Sequence, residues 1–247
     1  MSKSALLFFL LLFTQLQASS INIAAAANLS YTIKALESAF AKQHPDIHLK
    51  MTLGGSGKMT AQIMHGAPYG LFLSADMLYP QKLYSSGYAI TEPKVYTKGA
   101  IAFFTTKKFA QPLSPKILTS AQINKIAIAN PKTAPYGRAT VEALKKSGVY
   151  SSIKKKFIYG ESISQTLIFA SSSDIGVVAL SALYSPQLKR YKEGKNWALV
   201  DTKLYTPIAQ GMVLLQEAKR NPDYKLFYDF ILSKEAQNIF SKNGYIK

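Results

Sequence analysis

The sequence predicts an α/β protein with mostly parallel sheets. Short alternating or apolar runs, the mark of strands, take turns with segments of helical periodicity from residue 21 to the end of the chain. Ile175 to Ala179 is apolar throughout, as expected of a central parallel strand covered on both faces. A hydrophobic content of 48% is ample for the packed layers this class requires.

Ile21-Asn22-Ile23 alternates and runs into Ala24 to Ala27. Asn28 then stands where a helix N-cap belongs, ahead of Ile33, Leu36 and Phe40 on one helical face and a stop before Pro45. Ile47, Leu49, Met51 and Leu53 alternate with polar partners, a half-buried strand ending in Gly54-Gly55-Ser56-Gly57. Met59, Ile63 and Met64 predict a short helix closed by Gly66. Leu71 to Leu73 is a strand, and Asp76 caps a helix that ends near Gly87.

The same grammar continues with strands at Ile101 to Thr105 and Ile126 to Ala129. A Pro- and Gly-rich loop, Asn130 to Gly137, feeds a helix near Ala139 to Lys146. Phe157-Ile158 is a short strand, Ser162 a cap, and Ile163 to Ala170 a helix. Ile208 to Leu215 is a strand, and Tyr224 to Phe240 is helical with a break near Ser233. Composition marks neither a domain boundary nor a linker.

The first residues bear on compartment. Lys3 supplies a positive start, Ala5 to Phe13 is an apolar run, and the polar stretch after it ends in small residues. That is the layout of a secretory signal peptide over residues 1–20, with cleavage acceptable after Ala18 or Ser20, and the run is too short to span a bilayer. The alternative is a buried N-terminal strand. The chain has no cysteine, which excludes disulfides, a lipid anchor on an N-terminal Cys, a thiolate nucleophile and a Cys-based zinc site.

The net charge is +17, but the lysines are scattered from Lys34 to Lys247. The densest run, Lys154-Lys155-Lys156, lacks interleaved aromatics, so a basic solvated surface is expected and no nucleic-acid partner. Of the imidazoles, His44 and His48 flank a turn and His65 sits at a helix end, none with a carboxylate or nucleophile at a supporting spacing. Gly54 to Lys58 fails as a nucleophile elbow, because Lys58 replaces the second glycine. It also fails as a P-loop, because Thr52 and Met59 occupy required positions.

What remains is a repeated device. Four loops of small or polar residues precede helices: Ala27-Asn28, Gly55-Ser56-Gly57, Pro135-Tyr136-Gly137 and Glu161-Ser162-Ile163. A helix start offers unpaired N–H donors and partial positive charge, which suits an anion. Four ordinary caps would look the same in the sequence.

The segments Ile23 to Ser30 (IAAAANLS), Leu53 to Lys58 (LGGSGK) and Gly66-Ala67-Pro68 with Leu71 to Asp76 (LFLSAD) form an ordered set. Ile128 to Gly137 (IANPKTAPYG), Glu161 to Gln165, Gly176 to Ser181 and the ending Phe227 to Leu232, Ala236 to Phe240 and Gly244-Tyr245 complete it. In order and spacing this set resembles the periplasmic molybdate-binding proteins, the substrate-binding components of molybdate ABC importers. The resemblance implies a two-lobe, hinged type II binding fold. Lobe 1 would be residues 21–97 with 205–247, lobe 2 residues 98–204, and the hinge would lie near Ile101 and Ile208.

It also implies a function and a site. The chain would be a monomeric periplasmic protein, without cofactor and not an enzyme, that holds molybdate or tungstate and hands it to a membrane permease. The oxyanion would be bound by Ala27, Asn28, Ser56, Tyr136 and Ile163 through hydrogen bonds, with no direct metal ligand. Asn28 stands where the family usually has a serine, its amide NH₂ donating instead. Ser56 supplies a hydroxyl, Tyr136 and Ile163 supply backbone N–H groups, and Tyr136 adds a side-chain donor. Ala179 replaces a ligand-reaching tyrosine of many members. A fully ionised dianion accepts hydrogen bonds only, so neutral donors suffice. Glu161, the carboxylate within the four loops, is expected to face outward. A sulfate binder and a hydrolase using Ser56 are the competing readings.

Overall fold

A computed structural model describes residues 19–246. The signal-peptide reading falls on residues 1–20, of which 1–18 lie outside the described residues.

Strand β1 (Ser19–Ala26) is followed by a 3-10 turn, Ala27–Tyr31, and by α1 (Ile33–Gln43). Then come β2 (Ile47–Gly54), α2 (Ser56–Met64), β3 (Leu71–Leu73), α3 (Leu78–Ser85) and β4 (Lys94–Gly99). The chain next enters a second sheet through β5 (Ile101–Phe104), β6 (Ile126–Ala129), α4 (Pro135–Lys146), α5 (Tyr150–Ile153) and β7 (Phe157–Gly160). It continues with α6 (Ile163–Ser172), β8 (Ile175–Ala179), α7 (Leu180–Leu183) and β9 (Trp197–Leu199). It returns to the first sheet as β10 (Ile208–Leu214) and ends in α8 (Asp223–Leu232) and α9 (Lys234–Lys242).

The first sheet has the order β2-β1-β3-β10-β4 and the second β7-β6-β8-β5-β9. The α/β class holds, but the sheets are mixed rather than mostly parallel. β1 runs parallel to β2 and β3, and β6 parallel to β7 and β8. β10 and β5 each arrive from the opposite sheet, enter in the reverse sense, and lie antiparallel to both neighbours. β8 is therefore central and buried along its length, with one parallel and one antiparallel partner.

Helix starts follow local chemistry. Pro135 occupies the first position of α4, where its missing N–H costs nothing, so the helix begins four residues before the apolar periodicity at Ala139. Ser162 Oγ accepts from Gln165 N–H at 3.2 Å and caps α6. Ser233 ends α8 and caps α9, accepting from Ala236 N–H. Asn28 is corrected: it caps nothing, because the chain makes a 3-10 turn there and α1 starts only at Ile33. β4 and β9 carry no clean apolar alternation and were not legible in the sequence.

The packing ties the two sheets together. One apolar cluster under the second sheet runs through Tyr136 and Ile163 to Ala26, Ala27 and Ala75 of the first. The core of the first sheet gathers α1, α8 and α9, with Phe40 edge-on to Phe227 at 5.0 Å. Among the described residues no helix is long and apolar enough to cross a membrane.

Candidate anion site

Four chain turns meet between the sheets. They follow the C-terminal ends of β1, β2, β6 and β7, where open α/β sheets present their ligand crevices. The turns enclose a cavity of about 10 Å³, far below the ~300–1,000 Å³ typical of sites for organic ligands. Ala27, Asn28, Ser56, Tyr136 and Ile163 all line it. No Lys, Arg, Asp, Glu or His does.

Each lining residue brings a specific donor arrangement. Ser56 opens α2, and its Oγ accepts from Ala75 N–H at 3.0 Å. With a lone pair so engaged, the hydroxyl hydrogen is left for another acceptor. Tyr136 and Ile163 fall within the first two positions of α4 and α6, where no intrahelical carbonyl reaches their N–H groups. Neighbouring N–H groups do find partners: Gly57 donates to Thr133 O at 3.1 Å and Gly137 to Ala134 O at 3.0 Å. No protein acceptor meets the N–H of Ser56, Tyr136 or Ile163 among the described residues. Three helix starts thus add their partial positive charges at one small space.

Two side chains depart from expectation. The Asn28 amide donates from Nδ2 to Gln210 Oε1 and to Tyr245 Oη, both at 3.0 Å, while its Oδ1 is buried without a partner. The Tyr136 hydroxyl accepts from Gln210 Nε2 at 3.0 Å and packs on Gly99, where a Cβ would collide with it. Burial holds the Tyr136 phenol well above its ordinary pKa, with Tyr245 pushing the same way, so it stays protonated. Glu161 is exposed, as expected, and Ala179 is buried at the start of α7.

Bonds between the two sheets' loops wall the cavity. Ser164 Oγ donates to Ala27 O at 2.7 Å, and Tyr79 O–H donates to Thr133 O at 3.3 Å. Arg138 on α4 is ion-paired with Asp76, and its guanidinium lies 5.3 Å from the centre of the Tyr79 ring. Burial raises the Asp76 pKa while Arg138 opposes that rise. The pair is internally neutral and offers no net charge to the cavity.

Sequence reasoning missed Ala75, Ser164 and Gln210. Only Gln210 left a signal, a lone amide inside the apolar run Ile208 to Leu215.

Residues 21–246 match the family model of the bacterial extracellular solute-binding proteins. The chain belongs to that family. Among its relatives, the "Molybdate-binding protein ModA" of Rhodobacter capsulatus is 33% identical, the alignment covering 93% of this chain and 89% of the relative. The protein of the same name from Azotobacter vinelandii is also 33% identical, over 93% of this chain and 90% of its own length. The solved Azotobacter vinelandii periplasmic molybdate-binding protein superposes with a TM-score of 0.84 at 27% identity, covering 92% of this chain and 99% of that one. These relatives are binding proteins and not enzymes. In this solute-binding protein His44, His48 and His65 lie away from the cavity, and Ser56 has no imidazole beside it. A hydrolytic role for Ser56 therefore has no base to serve it.

Proposed function

We propose that this chain is the periplasmic component of an ABC importer, capturing molybdate, and tungstate alike, between two lobes for delivery to a membrane permease. One observation carries the reading: the cavity shared by the two sheets is lined by N–H and O–H donors and by no ionised side chain. A fully ionised tetrahedral dianion is matched by such a set, because it accepts at every oxygen and donates at none. The relatives named as molybdate-binding proteins support the choice of anion.

The anion is held by Ser56 Oγ and by the backbone N–H groups of Ser56, Tyr136 and Ile163, with Ala27 and Asn28 closing the other side. It needs no cofactor and no metal ligand from the protein. Residues 21–97 with 205–247 form lobe 1 and residues 98–204 form lobe 2. The crossings from β4 to β5 and from β9 to β10 are the hinge, and the protein acts as a monomer. Export follows cleavage after Ala18, which leaves β1 whole, since Ser19 and Ser20 pair with Ile47 and His48.

Calorimetric titration of the mature protein with molybdate, tungstate, sulfate and phosphate tests the reading. Molybdate and tungstate are expected to bind at least about 100-fold more tightly than sulfate or phosphate. Sulfate binding as tight as molybdate would replace the reading with a general oxyanion binder.

A further inference from the structure

Gln210 is fully buried in β10, at the point where the register with β4 shifts. Its Oε1 accepts from Tyr96 O–H at 2.9 Å and from Asn28 Nδ2 at 3.0 Å, and its Nε2 donates to Tyr136 Oη at 3.0 Å. The second Asn28 hydrogen goes to Tyr245 Oη, whose own hydrogen goes to Asn28 O at 3.2 Å. Two amides and three phenols thus form one buried network, and the atom of the two amides left over is Asn28 Oδ1.

That leftover is on the wrong atom for an anion site. Asn28 lines the cavity and its Oδ1 has no partner; turned to that space, a bare carbonyl oxygen would repel an oxyanion. Turning the Asn28 amide alone cures nothing, because its Oδ1 would then face Gln210 Oε1, acceptor against acceptor.

Turning both amides together keeps every other group of the network paired and leaves only the Asn28 NH₂ without an acceptor in the protein. Tyr136 O–H then donates to Gln210 Oε1, and Gln210 Nε2 donates to Tyr96 Oη and Asn28 Oδ1. Tyr96 O–H keeps its second acceptor, Ser74 O, at 3.0 Å. Tyr245 O–H turns to Asn28 Oδ1, and Asn28 O retains Ser181 Oγ at 3.5 Å. The phenols can serve either sense because each hydroxyl both donates and accepts. Burial keeps them protonated, Tyr245 being pushed up to about 12. In this second sense the Asn28 NH₂ takes the place of the orphaned oxygen.

We propose that Gln210 is a positioning residue for anion capture: its amide turns together with that of Asn28 and so presents the Asn28 NH₂ to the bound oxyanion. The proposal rests on the anion site described above, and it adds a residue that does not line the cavity. It also links the hinge strand β10 to the ligand loop of lobe 1 and, through Tyr136, to α4 of lobe 2.

The test uses the mature protein and sodium molybdate. In ¹⁵N–¹H spectra, the side-chain NH₂ signals are assigned by their loss in Asn28→Asp and Gln210→Met. Molybdate is expected to shift the Asn28 and Gln210 signals together in the wild-type protein. In Gln210→Met the Asn28 amide is free to turn by itself, and molybdate affinity should fall by less than about 10-fold. In Gln210→Glu the carboxylate can only accept, locks the Asn28 NH₂ toward itself, and should weaken binding by about 100-fold or more. An Asn28 signal that moves while that of Gln210 stays still overturns the proposal, as does equal loss in the two variants. Failure of the wild-type protein to bind molybdate at all overturns the proposed function instead.

Discussion

Arg138, in the first turn of α4, is ion-paired with Asp76, which follows β3 on the opposite side of the cavity. Asp76 is held in turn by Ser74 Oγ at 3.2 Å and Tyr79 N–H at 3.3 Å. The pair is partly exposed, with side-chain exposures of 34% and 16%, so its worth is set by solvent screening at about 1 kcal/mol. On the proposed hinge, it forms only when the two lobes close. Arg138→Gln is therefore expected to speed molybdate release by about 5-fold with little change in association, a difference that stopped-flow fluorescence reads directly. Unchanged release would remove the pair from any role in closure.

Ser56→Ala deletes a proposed donor to the anion and leaves Ala75 N–H without its acceptor. A hydrogen bond to a charged group contributes roughly 1.5–3 kcal/mol, so molybdate should bind about 10- to 100-fold more weakly by calorimetry.

Gly55 tests closure separately from lobe stability. Its backbone is extended (φ −62°, ψ 135°), which any residue adopts, so alanine suits its own lobe. A Cβ there would lie 2.9 Å from Glu161 O, a backbone atom of the proposed second lobe that cannot swing aside. Gly55→Ala should leave the melting temperature of the free protein unchanged and weaken molybdate binding by about 10-fold or more. Small-angle scattering with molybdate present should show a less compact particle than the wild type.

Asp174 gives the fold an acid-side dependence. Burial would raise its pKa, but Lys107 and the N–H groups of Asn124 and Lys125, at 2.8 and 2.9 Å, outweigh that and hold it below the ordinary value. A depressed folded pKa means stability that is present above the ordinary carboxylate pKa and lost as pH falls through the lower, folded value. Asp174→Asn should cost about 1–3 kcal/mol at neutral pH, and the gap to wild type should close below about pH 4 in thermal melts.

The α/β class, the strand at Ile126 to Ala129, the break at Ser233 and the cap at Ser162 were legible because each rests on local chemistry: periodicity, a hydroxyl, an apolar run. The pairing of β5 and β10 was not, because strand direction depends on which sheet the chain arrives from. Likewise β4 lacks alternation, its Tyr96 being buried by α9 and the chain end rather than by any pattern of its own.

The site divides the same way. Ala27, Asn28, Ser56, Tyr136 and Ile163 lie in loops that precede helices and were singled out by the resemblance to molybdate-binding proteins, and what gathers them at one cavity is the packing of two sheets. By itself the sequence marked helix starts and hydroxyls as candidate donors, since both are written in short range. The tertiary structure alone decided where those donors go. Asn28 and Gln210 stand 182 residues apart, and only their burial together makes the sense of one amide depend on the other.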